Sequence, residues 1–430
     1  MSEWQEFTLG DITSVITKGT TPTTLGHGYT EYGINFVKVE SLTDDGVIAV
    51  EKLAHIDEKA HDALARSKLQ EGDILFSIAG AIGRTAQVTA SVLPANTNQA
   101  VALIRVNGSA ASPRFVHYYL RSAEFQQHGI ERVVQTAQAN VSLSVLRAAP
   151  IRLPPRVVQE RIVEVLGAID DLIENDRRRI ALLEEMAQAI YREWFVHFRY
   201  RGHEDDELVD SPIGPIPTGW SAPEMQEVCE VVDCLHSKKP IENPNGPGVL
   251  LQLFNIAAGG RLDVSRRYRI SDDDYRLWTS RIEVGEGDCV VTNVGRVGAV
   301  AQVPAGVTAA LGRNMTAVRP RAGLMTPSYL LEYFLSPHMR RELAAKTDVG
   351  TIMDALNVKN IVRLVVPLPP KELRDTFEGV ARPIRRLAEV LTSEGDVLRG
   401  SRDALLPKLV TGAIDVSELD LDALFEEPAA

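Results

Sequence analysis

Cysteine is scarce: three in 430 residues, Cys229, Cys234 and Cys289, all in the second half. An odd, sparse set argues against a disulfide framework and fits a reducing compartment, so a cytoplasmic protein is expected. Cys229 and Cys234 lack zinc-ligand spacing and no second Cys/His pair follows, so no metal site is expected. No apolar run approaches the roughly 20 residues of a membrane span. The opening MSEWQEFTLG is too polar and acidic for a signal peptide. The signatures of catalysis are missing as well. There is no P-loop, no GxGxxG after a strand, and no Ser-x-x-Lys, GxSxG or HExxH. The nine histidines are scattered singly. Neither catalytic nor cofactor-binding residues are expected in this chain, which reads as a binding scaffold.

Positive charge is also short, with a net charge of −12. Taken alone, this opposes contact with nucleic acid, whose phosphates repel an acidic surface. The distribution qualifies it. Residues 1–155 carry 13 basic and 15 acidic side chains, and residues 216–370 carry 17 and 16. The acidity therefore sits in 156–215 and 371–430, which leaves two nearly neutral blocks free to present basic surfaces.

What is present is a duplication. EGDILFSIAGAIGRTAQV (71–88) returns as EGDCVVTNVGRVGAVAQV (286–303), offset by 215 residues, half the chain. The offset also brings Thr136 to Thr351, LPP 153–155 to LPP 368–370, Ile169 to Ile384 and Leu183 to Leu398. Each copy begins with about 150 residues of short β-like runs and Gly/Pro/Asn/Thr turns. A short helix closes each block, SPRFVHYYLRSAEF and TPSYLLEYFLSPHMRREL, with Ser/Thr at the cap and Pro in the first turn. GAIG and GRVG follow a β-run, so a hairpin turn is favoured over the helix-joining GxxG loop that clamps a nucleic-acid backbone. Glu71/Glu286 and Asp73/Asp288 read as turn residues at a strand entry.

After LPP the period changes to threes and fours. One seam runs through Leu166, Ile169, Ile173, Ile180, Leu183 and Ile190, interrupted by Asp176. The other runs through Phe377, Val380, Ile384, Leu387, Leu391, Leu398 and Leu405. These are heptad seams on helices of roughly 40 residues, about 60 Å long. Pairing the two helices with each other buries both stripes; two independent dimerisation helices are the alternative. The expected fold is α+β: an internal two-fold repeat of a β-rich domain plus a long helix, the helices forming an antiparallel coiled coil. The expected boundaries are a first domain at 1–155, a first long helix at 156–198 and a linker at 199–219. A second domain follows at 220–370, a second long helix at 371–411 and an acidic tail at 412–430.

Two similar domains on a rigid spacer suit a duplex with separated half-sites, because grooves recur every ~34 Å. Polar loops with scattered cations recur in both copies, and Gln, Asn and Arg pair with base edges. The candidate contacts in the first copy are Lys18, Thr20, Thr21, Ser77, Arg84, Asn96, Asn98, Gln99, Gln135, Gln138 and Asn140. In the second they are Lys238, Lys239, Arg266, Arg267, Thr292, Asn293, Arg296, Arg313 and Asn314. The competing reading is an interaction scaffold of two β-rich modules on a coiled coil, with no role on DNA.

The junction LPPRVVQERIVEVLGAIDDLIENDRRRIALLEEMAQAIYREWFVHF, the later LLPKLVTGAIDV, and the segments ITKGTTP and GDILFSIAGAIG resemble the specificity subunits of Type I restriction-modification systems. The resemblance implies two target-recognition domains reading the halves of a bipartite asymmetric DNA site, with a coiled coil setting the gap. It implies a non-catalytic subunit. Its partners would be double-stranded DNA, two methyltransferase subunits bringing S-adenosylmethionine to adenine, and translocase-nuclease subunits using ATP and magnesium. No membrane is involved. One departure stands out: LPPKELRDTF replaces the Gln-Glu of the first copy's VVQERI, which puts one of two quasi-equivalent partner contacts in question.

Overall fold

The computed structural model describes residues 4–130, 140–200, 207–348 and 354–416. Helices and strands mix, and the chain divides into two compact units. The first takes the described residues up to Leu172 together with those from Leu398; the second takes Ile173–Val397. The division falls inside both long helices. No described helix is long and apolar enough to cross a membrane.

The first unit is built on a four-stranded antiparallel sheet of β1 (Thr13–Lys18), β2 (Ile74–Ser77), β3 (Thr85–Gln87) and β4 (Val101–Val106). Its spatial order is β1-β4-β2-β3. The central strands are apolar along their length because both faces are covered. Ile74, Phe76, Ala102 and Ile104 face a core shared with helix α1 (Pro113–Arg121), while Leu75, Val101 and Leu103 face a second core. Ser112 caps α1 by accepting from the Phe115 N–H, and Pro113 takes the first turn, where a missing N–H costs nothing.

The second unit repeats this order with β5 (Cys229–Asp233), β6 (Cys289–Thr292), β7 (Val300–Gln302) and β8 (Met315–Pro320), arranged β5-β8-β6-β7. Ile74 pairs with Gln87 in the first sheet, and Cys289 pairs with Gln302 in the second. Helix α3 (Pro327–Leu335) matches α1. The single closing helix expected over TPSYLLEYFLSPHMRREL is two helices, because Ser336 turns extended before Pro337 and caps a new helix, Pro337–Ala345. A proline forbids the helical hydrogen bond and disfavours helical geometry in the residue before it. Within the 199–219 segment, Leu208–Val209 pairs with Ile216–Pro217, and Ile216 lies in the unit's core with Trp220.

The long helices are α2 (Arg156–Tyr191) and α4 (Lys371–Val410). In the first unit, Arg402 reaches Asp170 at 3.1 Å and Arg161 reaches the Val416 carbonyl at 3.2 Å. In the second, Ile180 packs with Ala388 and Leu391, while Tyr191 and Trp194 meet Phe377 at ring-centroid distances of 6.0 and 5.9 Å. Within each unit the two helical segments therefore run antiparallel.

The α4 seam differs from the heptad expectation. Val380 and Leu387 are exposed, and the buried positions include Arg374, Phe377, Ala381, Arg385, Ala388, Leu391, Arg402, Leu406 and Leu409. The stripe includes arginines that a reading of apolar residues alone passes over. Arg385 donates to Glu332 and to the Gly259 carbonyl, each at 2.7 Å. Arg402 bridges Asp45 and Asp170 at 3.0 and 3.1 Å.

Candidate nucleic-acid interface

The repeated Glu-Gly-Asp turns form a common frame. Asp73 accepts from the Gln70 N–H at 2.7 Å and binds Arg105 through both carboxylate oxygens at 2.7 Å. Asp288 accepts from the Gly285 N–H at 2.9 Å and binds Arg319 at 2.8 and 2.6 Å. Both carboxylates are buried, and such a group is tolerated only when paired and hydrogen-bonded. Hydrogen bonding to these aspartates holds both guanidiniums above their ordinary pKa, against the opposing effect of burial. Each turn feeds a strand whose hairpin is closed at Gly80 and Gly83 or at Gly295 and Gly298, all with positive φ. Inside the hairpins, the Ser77 hydroxyl donates to the Ala81 carbonyl and the Thr292 hydroxyl to the Arg296 carbonyl.

Four polar candidates are therefore buried braces rather than surface contacts. Ser77 and Thr292 close the hairpins. Asn96 donates to the Leu64 carbonyl at 3.1 Å and also bonds His61. Asn293 donates to the Leu356 carbonyl at 2.9 Å and accepts from Thr316 at 3.0 Å. In each case a buried amide or hydroxyl has found a partner, as burial demands. Two cations are also committed. Arg84 pairs with Asp44 at 2.9 Å, and Arg296 donates to the Ile256 and Leu253 carbonyls.

Most of the remaining described candidates lie at one place on each sheet, where the first strand ends and the fourth begins. In the first unit the loops after β1 and before β4 touch: the Gly19 N–H donates to the Asn98 carbonyl at 3.1 Å. A Cβ on Gly19 would lie 1.7 Å from the Thr97 carbonyl oxygen, so only glycine permits this approach. Lys18, Thr20, Thr21, Asn98 and Gln99 are thereby clustered, with the Thr21 hydroxyl bonded to Gln99. Arg66, which the sequence did not single out, joins them through Thr20 at 3.5 Å. Asn140 is exposed elsewhere in the unit; Gln135 and Gln138 lie outside the described residues.

At the matching place in the second unit, Lys238, Lys239, Arg313 and Asn314 are exposed on the loops after β5 and before β8. Asn314 takes a positive φ of 64°, a conformation asparagine tolerates better than most residues. Lys239 sits 3.8 Å over the Tyr268 ring and Arg266 sits 4.4 Å over Phe254, while Arg267 donates to the Val264 carbonyl at 3.3 Å. The aromatic partners were not legible in sequence, since a cation–π pair joins residues about 12 to 30 positions apart. Asp233, Cys234 and His236 bring three potential metal ligands within 4.8 Å of one another. The His236–Asp233 hydrogen bond of 2.7 Å already accounts for two of them.

Residues 1–185 match the family described as Type I restriction modification DNA specificity domain. The putative type I restriction enzyme MjaX specificity subunit of Methanocaldococcus jannaschii is 22% identical over 427 residues, covering 96% of this chain and 94% of the relative. The type I restriction enzyme EcoBI specificity subunit of Escherichia coli is 30% identical over 167 residues, 38% of this chain and 35% of the relative. Among solved structures, the Type-I restriction-modification system S subunit from M. genitalium has a similar fold. Its TM-score is 0.53 at 13% identity, over 95% of this chain and 96% of that one.

Proposed function

We propose that this chain, related over most of its length to the specificity subunits of type I restriction enzymes, is the DNA-reading subunit of such a complex. Each β-rich unit would read one half of a bipartite asymmetric site. Antiparallel pairing of α2 with α4 would act as a coiled-coil spacer and set the unread gap. Two methyltransferase subunits would supply S-adenosylmethionine and methylate adenine; translocase subunits would supply ATP-driven motion.

One observation carries this reading. The two sheets share their strand order and their Asp–Arg frame, yet the loops at the matching sheet ends carry different sets of candidate side chains. One end presents Lys18, Thr20, Thr21 and Gln99, and the other Lys238, Lys239, Arg313 and Asn314. Equal frames with unequal loops suit two different half-sites. With a net charge of −12, the chain is expected to bind DNA weakly alone. A steep loss of affinity with salt is then expected only in the complex, whose partners add phosphate contacts. The test is modified-base sequencing of DNA from cells that express the chain with its methyltransferase. A split, asymmetric methyladenine motif is expected; a palindromic or continuous motif would overturn the reading.

A further inference from the structure

Ile241 is 88% exposed, more than any other large hydrophobic side chain among the described residues. A single exposed aliphatic residue is unremarkable on a protein surface. What sets Ile241 apart is the way its loop holds it. Pro240, just before it, is buried, and its carbonyl accepts from the Tyr268 hydroxyl at 2.9 Å. Lys239 is stacked on the same Tyr268 ring. The loop is tied at its start by His236 to Asp233, and after the tip by the Asn243 N–H, which donates to the Arg269 carbonyl at 2.8 Å. Ile241 is thus an apolar point on a braced loop, between the buried Pro240 and the exposed Glu242, with Lys238 and Lys239 just upstream and Arg266 and Arg267 on the segment that carries Tyr268.

We propose that Ile241 is a wedge that inserts at a base step of the DNA read by the second unit. The inference rests on the function proposed above. The four cations outnumber the single Glu242, and an apolar side chain in that setting fits a duplex: the cations meet phosphates while the side chain opens the stack. Unstacking costs less at flexible pyrimidine–purine steps, so Ile241 reads deformability rather than a hydrogen-bond pattern. The corresponding loop of the first unit exposes Leu25 at 49%, within one residue of the place the repeat offset assigns to Ile241, and Tyr32 at 79%, whose hydroxyl donates to Glu31 at 3.1 Å. Residues 19–33 carry no lysine or arginine, against Lys238 and Lys239 in residues 234–247, so the wedge is assigned to the second unit alone.

The test uses the complete complex with its methyltransferase, on duplexes carrying 2-aminopurine at successive positions of the second half-site. Emission is expected to rise at one step with the wild-type chain and with Ile241→Phe. It is expected to stay flat with Ile241→Ala, with affinity for the split site falling roughly tenfold, the scale of one mismatched base pair. Equal emission with Ile241→Ala would overturn the wedge. So would Ile241→Ala blocking assembly with the methyltransferase while leaving the emission of assembled complex unchanged, which would make the residue a protein contact. If the wild-type complex fails to distinguish the split site from random duplex, it is the function itself that fails.

Discussion

Asp73 and Asp288 each tie a turn to the neighbouring strand of the sheet, and this double duty explains why the Glu-Gly-Asp turn survives in both copies. The turn bond to Gln70 or Gly285 is local and legible in sequence; the bidentate bond to Arg105 or Arg319 is not. The same division runs through the candidate contacts. Asn96 and Asn98 are two residues apart, yet one is buried against Leu64 and the other lies at the loop contact with Gly19. Their side-chain chemistry is identical, so only the fold separates brace from candidate reader. At this scale a pH effect is expected from His117. It is buried, its Nε2 has no partner among the described residues, and burial followed by Arg121, Arg114 and Arg402 pushes its pKa well below the usual 6.5. Below about pH 6.5 the unfolded chain takes up a proton that the folded chain refuses, so stability falls as pH drops through that value. Above it, His117 contributes no pH dependence. Thermal unfolding followed from about pH 7.5 to about pH 5.5 should show a falling midpoint in the wild type and a shallower fall in His117→Phe. Parallel curves would assign the acid sensitivity to other groups.

Among the elements, the two long helices illustrate how far periodicity reaches. The change of period after each LPP marks where they begin, at Arg156 and Lys371, while α2 ends at Tyr191, short of residue 198. The buried face of α4 does not follow, because it holds Ala381, Ala388, Arg385 and Arg402 among its apolar residues. Small residues admit a close neighbour, and the arginines are paid for by carboxylates far away in sequence. A matched pair of substitutions separates the two seams. Leu391 is 2% exposed and Leu387 is 42% exposed. Leu391→Ala is expected to lower stability by about 3 kcal/mol and Leu387→Ala by no more than about 0.5 kcal/mol, measured by denaturant unfolding. Equal losses would restore the heptad seam. The departure at LPPKELRDTF also gains a structural meaning. Gln159 accepts from the Ser112 N–H and donates to the Pro154 carbonyl, both at 2.9 Å, and so secures the start of α1. Arg374 stands at the matching place in the second copy. The start of α3 is met there by Glu378, which accepts from the Ser328 N–H at 3.0 Å.

For the molecule as a whole, the proposed ruler makes a prediction that no single residue can. Two whole turns inserted at matched positions of α2 and α4 should lengthen the unread gap of the methylated motif and leave both half-sites unchanged, as read by modified-base sequencing. Altered half-sites with the same gap would refute the ruler. The sequence by itself determined the repeated segments, the turns that frame each sheet and the place where each long helix begins. These depend on neighbours within a few residues, or on a period repeated along one segment. Only the tertiary structure decided which polar residues face solvent, which face of α4 is buried, and that the chain divides inside its helices. Those outcomes depend on partners distant in the chain: Leu356 for Asn293, Asp45 for Arg402, Tyr268 for Lys239. A buried polar group is stable only where such a partner exists, and no local pattern records its position.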